Sequence, residues 1–402
     1  MGKKIWIIHH YADPPDGYWT GTYDLYKFLV QKGHQVTVFS SSFNHYSRED
    51  SRLKPDELYA EKDYNGMHFV FIKTPPYFKN NLKRLWNMLL YGLRSYWWGA
   101  RQKQGPDVII TATPHPFCAF AAYRLARKFK VPFLLELHDL WLDYLLDTHM
   151  VSRWHPAYQV IRWLETSCYK NAKKILILWP KMDLYLKNYG VPPERIVWLP
   201  LGIDFETLEK ISAKSNKEDG NFVVACTARF GPASNLLEIL QAAKILQDQG
   251  HHRIKFVLIG DGPEREKLEE FVQENHLTHV EFPGMIPKEQ IRKNLVDADA
   301  CIAGLPDIPN YRKYGTIPTK LLDYLTSGRP TIFITSIQES LVDKAQAGAV
   351  VHPNQPGVLA ESILKLSRLS SEERARLGEN GMEYMRIHHN LKTLADRVEA
   401  LL

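Results

Sequence analysis

The chain has 402 residues, enough for two domains of ordinary size, and 45% of them are hydrophobic, so each half can bury a core. Its formal net charge of +6 is too mild to imply nucleic acid, and suits anionic small ligands or an anionic membrane face. The 4 cysteines, Cys118, Cys168, Cys226 and Cys301, lie far apart with no C-x-x-C, which argues against zinc and a disulfide framework and for a reducing cytoplasm. The first residues, Lys3 to Ile8, are basic and then apolar. That run is too short for a signal peptide and ends in His9-His10, so it reads as a first buried strand.

Strand-like runs then alternate with helical patterns. In the first half they are Lys4–His9, Gln35–Ser40, Met67–Ile72, Asp107–Thr111, Pro132–Glu136, Lys174–Leu178 and Arg195–Leu199. Several are continuously apolar, as parallel strands covered on both faces should be. Helices fit between them, for example over Tyr23–Gln31 and Phe117–Lys128. No apolar run approaches the length of a membrane span. The segment Lys79 to Arg101 mixes Lys83, Arg84 and Arg94 with Trp86, Trp97, Trp98 and several leucines. That composition fits an interfacial helix on anionic lipid, and equally a core helix with its aromatics on the sheet.

A polar stretch from Lys210 to Gly220 reads as a linker. A second α/β series follows at Phe222–Cys226, Ile254–Ile259, Val280–Phe282, Ala300–Ala303, Thr331–Ile334 and Ala349–Val351. Two consecutive doubly wound units are the natural reading, over residues 1–202 and 203–375, with helices over 376–402 placed to pack back on the first. In such sheets ligands bind beyond the carboxyl ends of the strands. Two facing units therefore put the site in the cleft between them.

Four strand-end pieces of the second half point there. Arg229, in the loop Thr227 to Asn235, is placed to fork two oxygens of a diphosphate. Gly260-Asp261-Gly262-Pro263 is a tight turn into a charged helix. Pro283-Gly284-Met285-Ile286-Pro287 offers backbone to a base edge. The last piece runs from Pro318 to Pro330. Pro318 suits a helix start, Leu321, Leu322 and Leu325 give one apolar face, and Gly328 and Pro330 end the helix. Its N-terminus and Lys320 attract anions, while Asp323 suits a sugar hydroxyl. Phosphate plus ribose means a nucleotide.

These motifs resemble the retaining glycosyltransferases of family 4, with the GT-B fold, two Rossmann-like domains facing across a cleft. The first half adds Gly17 ahead of a helix, Leu137-His138-Asp139-Leu140-Trp141 and Leu199-Pro200-Leu201-Gly202-Ile203-Asp204. The closest flavour is the branch making bacterial surface polysaccharides, the O-antigen fucosaminyltransferase type. The resemblance implies a nucleotide-sugar site of Gly17, Arg229, Gly231, Ile286, Thr319, Lys320, Leu321 and Asp323. His138, Arg229 and Lys320 take the catalytic positions. Asp323 stands where a motif glutamate binds the ribose, and His138 where a histidine lies against the donor sugar. It also implies a donor that is UDP-linked, a lipid-linked (undecaprenyl-type) glycan acceptor, and a peripheral place on the inner face of the cell membrane. Three positions depart from the pattern. Gly315 stands where the family often has the first motif glutamate, Asn235 stands near a usual lysine, and Leu201-Gly202 replaces Asn-Gly.

The chemistry needs little from side chains. A nucleoside diphosphate leaves as a dianion, and positive groups aimed at it stabilise charge that grows in the transition state. With Arg229 and Lys320 balancing that charge, neither a metal nor a cofactor is required. Two other functions use the same features, a nucleotide-sugar 2-epimerase and a non-catalytic nucleotide-sugar-binding subunit. A dehydrogenase is disfavoured because no G-x-G-x-x-G follows the first strand. His9 and His10 are strand-end residues open to either an acceptor or a structural role. His115 reads as a loop-shaping residue and Glu165 as an orienting one.

Overall fold

The computed structural model describes residues 2–17, 20–79, 81–113, 115–147, 149–210 and 220–402. The polar stretch read as a linker falls almost wholly on residues 211–219, outside that set. The described chain divides into two units, Met1–Asp204 with Leu391–Leu402, and Phe205–Asn390.

The first unit holds β1 (Lys4–Ile8), β2 (Gln35–Ser41), β3 (Tyr59–Tyr64), β4 (Met67–Ile72), β5 (Val108–Ala112), β6 (Phe133–Leu137), β7 (Lys174–Ile177) and β8 (Ile196–Trp198). They form one eight-stranded sheet in the order β3-β4-β2-β1-β5-β6-β7-β8. Ile5, Ile7 and Ile8 of β1 are buried because helices cover both faces. Only β3 is antiparallel to its neighbour, and the sequence reading passed over it. Its residues, YAEKDY, are mostly exposed, as an edge strand allows. The signal was the turn. Asn65 and Gly66 both take positive φ, 54° and 85°, the conformation of a two-residue hairpin turn that favours Asn-Gly.

The second unit holds β9 (Phe222–Arg229), β10 (Ile254–Asp261), β11 (Val280–Gly284), β12 (Ala300–Gly304), β13 (Thr331–Ile334) and β14 (Gly348–Val351). Their order, β11-β10-β9-β12-β13-β14, is the doubly wound arrangement with its switch point between β9 and β12. All pairs are parallel.

The chain's last two helices part company. Ser371–His388 opens with a capping box, Ser370 and Glu373, and stays with the second unit. Its Gly378 and Gly381 lie against the backbone of Leu325 to Arg329; a Cβ on Gly378 would stand 1.9 Å from the Gly328 carbonyl oxygen. Leu391–Glu399 instead joins the first unit, where Leu394 and Val398 pack with Leu29. The Leu391 N–H donates to the Ile203 carbonyl at 3.0 Å. Gly202 faces this helix so closely that a Cβ would meet Leu391 Cδ2 at 2.6 Å. Gly202, which the pattern shares, thus has a packing reason.

Candidate active site

In the second unit the site grows from the carboxyl end of β9. The loop after Arg229 is pinned by Phe230, which is fully buried and donates its N–H to the Asp261 carbonyl at 2.9 Å. Gly260 takes φ 140°, and a Cβ there would stand 1.8 Å from the Ala228 carbonyl oxygen. A Cβ on Gly262 would stand 2.3 Å from that of Phe230. Two strand-end loops can therefore lie backbone to backbone only with glycine at both positions. Asn235, at φ 51°, then starts the helix Leu236–Asp248 and donates from Nδ2 to the Leu305 carbonyl at 3.2 Å. It serves as a structural joint, in place of the lysine that the pattern often carries.

The motif helix is Thr319–Leu325. Leu321, Leu322 and Leu325 are buried, and Tyr324 is buried completely. The Tyr324 hydroxyl accepts from the Thr227 N–H at 2.6 Å and lies 3.1 Å from the Thr227 carbonyl, to which it donates. This ties the helix to β9 and places Lys320, one turn earlier on the same face, over the strand end. Gly315 ends the preceding helix, Pro309–Tyr314, at φ 79° and ψ 171°. Only glycine occupies that region without strain, so the absence of a glutamate there follows from the local backbone.

These pieces enclose a cavity of about 420 Å³ lined by Thr227, Ala228, Arg229, Ala233, Ser234, Ile259, Gly260, Met285, Ile286, Ile291, Leu305, Pro318, Thr319 and Lys320. The volume falls in the small-molecule range, and the apolar walls with a few polar groups are typical of such sites. Arg229 and Lys320 are its only charged lining residues among those described, both positive. Of the expected site residues, Arg229, Ile286, Thr319 and Lys320 meet here. Gly231 flanks the lining and Leu321 lies beneath it. Asp323 is on the exposed side of the motif helix, toward Arg292, whose pKa burial lowers and the Asp323 charge partly restores. Sequence reasoning missed Leu305 and Ile291. Leu305 was findable, because it directly follows β12 at the switch point.

In the first unit His138 follows β6. Its Nε2 lies 3.0 Å from Oε2 of buried Glu136, whose other oxygen accepts from the Tyr26 hydroxyl. The ring meets His9 edge-on at 5.6 Å. His9 is itself buried, 2.6 Å from the Thr22 hydroxyl, and burial holds it well below the usual histidine range. His10 lies 2.5 Å from His115 Nε2 and stacks on Tyr91. The His115 Nδ1 accepts from the Cys118 N–H at 3.3 Å, capping the helix Pro116–Phe129. Its Nε2 therefore carries the proton and donates to His10, and burial lowers His115 to about 3. Burial thus keeps both rings neutral. Gly17 closes a turn against Asp13, which Arg52 and Asn44 hold. Glu165 is buried beside Arg162, which also binds Asp143 at 2.9 Å and Tyr185 at 2.6 Å.

The helix Leu82–Ala100 carries Leu82, Trp86 (53% exposed), Leu93 and Trp97 (58% exposed) toward solvent. At 100° per residue these four fall within about 60° of one another, a single stripe. Trp98 instead packs on Phe39 at 4.9 Å. Arg84 and Arg94 turn inward, the first to the Tyr11 hydroxyl at 3.4 Å and the second to the Lys73 carbonyl at 2.6 Å. Of the three basic residues expected at a surface, only Lys83 is exposed. Among the described residues no helix is long and apolar enough to cross a membrane.

Residues 15–207 match the family described as Glycosyltransferase Family 4, and residues 208–384 that described as Glycosyl transferases group 1. The two matches together span residues 15–384, and the chain has the GT-B fold of the glycosyltransferases it resembles. It is 27% identical over 208 residues to WcaL of Salmonella typhimurium, described as a colanic acid biosynthesis glycosyltransferase; that stretch is 49% of this chain and 48% of the relative. Among solved structures, sucrose-phosphate synthase from Thermosynechococcus elongatus superposes with a TM-score of 0.74 at 17% identity, over 99% of this chain and 98% of that one. HepE of Anabaena, in complex with UDP-glucose, superposes with a TM-score of 0.64 at 12% identity, over 99% of each chain.

Proposed function

We propose that the chain transfers a sugar from a UDP-linked donor to a lipid-linked glycan of undecaprenyl type, in synthesis of a bacterial cell-surface polysaccharide such as O-antigen. The observation that carries this reading is the cavity at the β9–β12 switch point, with Arg229 and Lys320 as its charged walls. The uridine lies on the apolar side, with the Ile286 backbone at the base and Asp323 at the ribose. The diphosphate lies between Arg229, Gly231 and the helix start at Thr319 to Leu321. Both cations strengthen their hold as the diphosphate leaves, which lowers the barrier. His138 and Gly17, in the first unit, are assigned to the sugar rather than the nucleotide. The acceptor hydroxyl attacks from the leaving-group face and gives its proton to the departing diphosphate, so the anomeric configuration is retained. Arg229 and Lys320 do the charge work without a metal.

Three further facts support the reading. HepE, which shares the fold, holds UDP-glucose. WcaL is described as acting in colanic acid synthesis. The exposed stripe of Leu82, Trp86, Leu93 and Trp97, with Lys83 beside it, fits an anionic bilayer that would carry the acceptor.

A donor screen by thermal shift tests this, because a ligand that binds only the folded state raises its stability. UDP and one UDP-sugar should stabilise the protein, and Arg229→Ala with Lys320→Ala should abolish the shift. Turnover of that donor should persist in EDTA and require acceptor. No shift with any UDP compound removes the donor assignment, and conversion of the donor without acceptor makes the chain an epimerase.

A further inference from the structure

The second unit has another cavity, of about 570 Å³, at the amino ends of strands β9 and β10 of the same sheet. Phe222 and Ile254, the first residues of β9 and β10, form its floor with Leu364. Its rim carries His252 and Arg253 on the turn before β10, and Arg368 at the end of the helix Pro356–Arg368. β9 has eight residues, so at about 3.3 Å each this cavity stands roughly 25 Å from Arg229. It is no extension of the donor site.

The charge here is one-sided. Among the described residues no carboxylate lines the cavity. Arg253 and Arg368 are exposed, and among the described residues neither guanidinium has an ion pair or a hydrogen bond. A third guanidinium, that of Arg374, stacks on the Phe222 ring at 5.5 Å, but it has Asp299 at 3.7 Å. A basic residue in the last turn of a helix commonly offsets the helix dipole, which accounts for Arg368. It does not account for Arg253 and His252, which stand on a separate turn, or for an apolar floor between two guanidinium forks. Such forks match the oxygens of a phosphate in pairs.

We propose that this cavity binds a small phosphorylated compound, its phosphate held between Arg253 and Arg368 and its carbon part on Phe222, Ile254 and Leu364. The site is separate from the donor cavity, and both cavities open on the ends of β9 and β10.

Equilibrium dialysis with labelled inorganic pyrophosphate, at ionic strength fixed by sodium chloride, tests it. Pyrophosphate should occupy two sites on the wild-type chain. R253Q/R368Q should keep one, R229A/K320A should keep one, and the fourfold variant none. Each single variant, R253Q or R368Q, should weaken the remote site about tenfold, so a double variant that fails to fold does not stop the test. UDP should compete only for the site that R229A/K320A removes. One wild-type site, lost in R229A/K320A and untouched by R253Q/R368Q, overturns the inference and leaves the donor reading standing. One site lost only in R253Q/R368Q does the reverse.

Discussion

The hydroxyl of Tyr324 sets where Lys320 reaches, because it holds both the N–H and the carbonyl of Thr227. Tyr324→Phe leaves that part-buried N–H without its partner, a loss of about 1 kcal/mol. A lowered melting temperature and weaker UDP binding by calorimetry are expected, with the arginine and lysine intact. Arg229→Ala or Lys320→Ala should leave melting nearly unchanged and slow transfer by about 10²–10³-fold, the usual effect of removing one donor to a developing anion. Asp323→Ala should weaken UDP binding if the ribose reaches the exposed side of the motif helix; calorimetry with unchanged affinity takes Asp323 out of the site. Glycines behave differently. Gly315→Glu should cost about 1–3 kcal/mol and restore no activity, because the backbone there suits glycine alone. The motifs around Arg229 and Lys320 were legible because strand-end loops announce themselves by composition. The reasons for Gly202 and Gly315 were not, since one depends on a helix nearly 190 residues away and the other on a φ,ψ pair.

At the scale of elements, helix Leu82–Ala100 shows how far periodicity reaches. Its stripe of Leu82, Trp86, Leu93 and Trp97 was written in the sequence at helical spacing, and the same spacing places Arg84 on the opposite side. Counting basic residues without their angles overstated the charge at the surface. Trp86→Ser with Trp97→Ser should therefore cut sedimentation with anionic vesicles more than Lys83→Glu does, and leave use of a soluble acceptor unchanged. Equal sedimentation of the tryptophan variant and wild type removes the bilayer assignment. The helix Pro156–Asn171 offers a pH handle. Burial pushes Glu165 up to about 8 from its ordinary 4.5, against the pull of Arg162. The folded chain keeps a proton that the unfolded chain gives up, so stability falls as pH rises from about 4.5 to 8. Glu165→Gln should flatten that slope in urea melts at successive pH values.

At the scale of the whole molecule, the two parallel sheets were legible from continuous apolar runs, and the switch point followed from their order. What escaped was β3, whose polar residues hide a strand that only its Asn-Gly turn betrays. The destination of the last helix was legible only as one possibility, because helical periodicity names a buried face and not its partner. Leu391, Leu394, Ala395 and Val398 fill that face. Each fully buried leucine or valine is worth about 1.5–3 kcal/mol. Ending the chain at Asn390 should therefore destabilise the first unit and spare the second. Limited proteolysis read by mass spectrometry should show cuts within residues 1–204 first; cuts spread evenly over both units would contradict this.

The return of Leu391–Glu399 to the first unit also fixes an order of events on the ribosome. Translation delivers roughly 5–20 residues per second, so the first 204 residues emerge some 10–40 s before the helix that completes their core. Through that interval Phe28 and Leu29 lack their cover, while the second unit emerges with all of its own strands and helices. The later-made half can thus finish first. A nascent first half with bare apolar surface is a natural client for a chaperone, and a late frameshift would be felt at the opposite end of the chain.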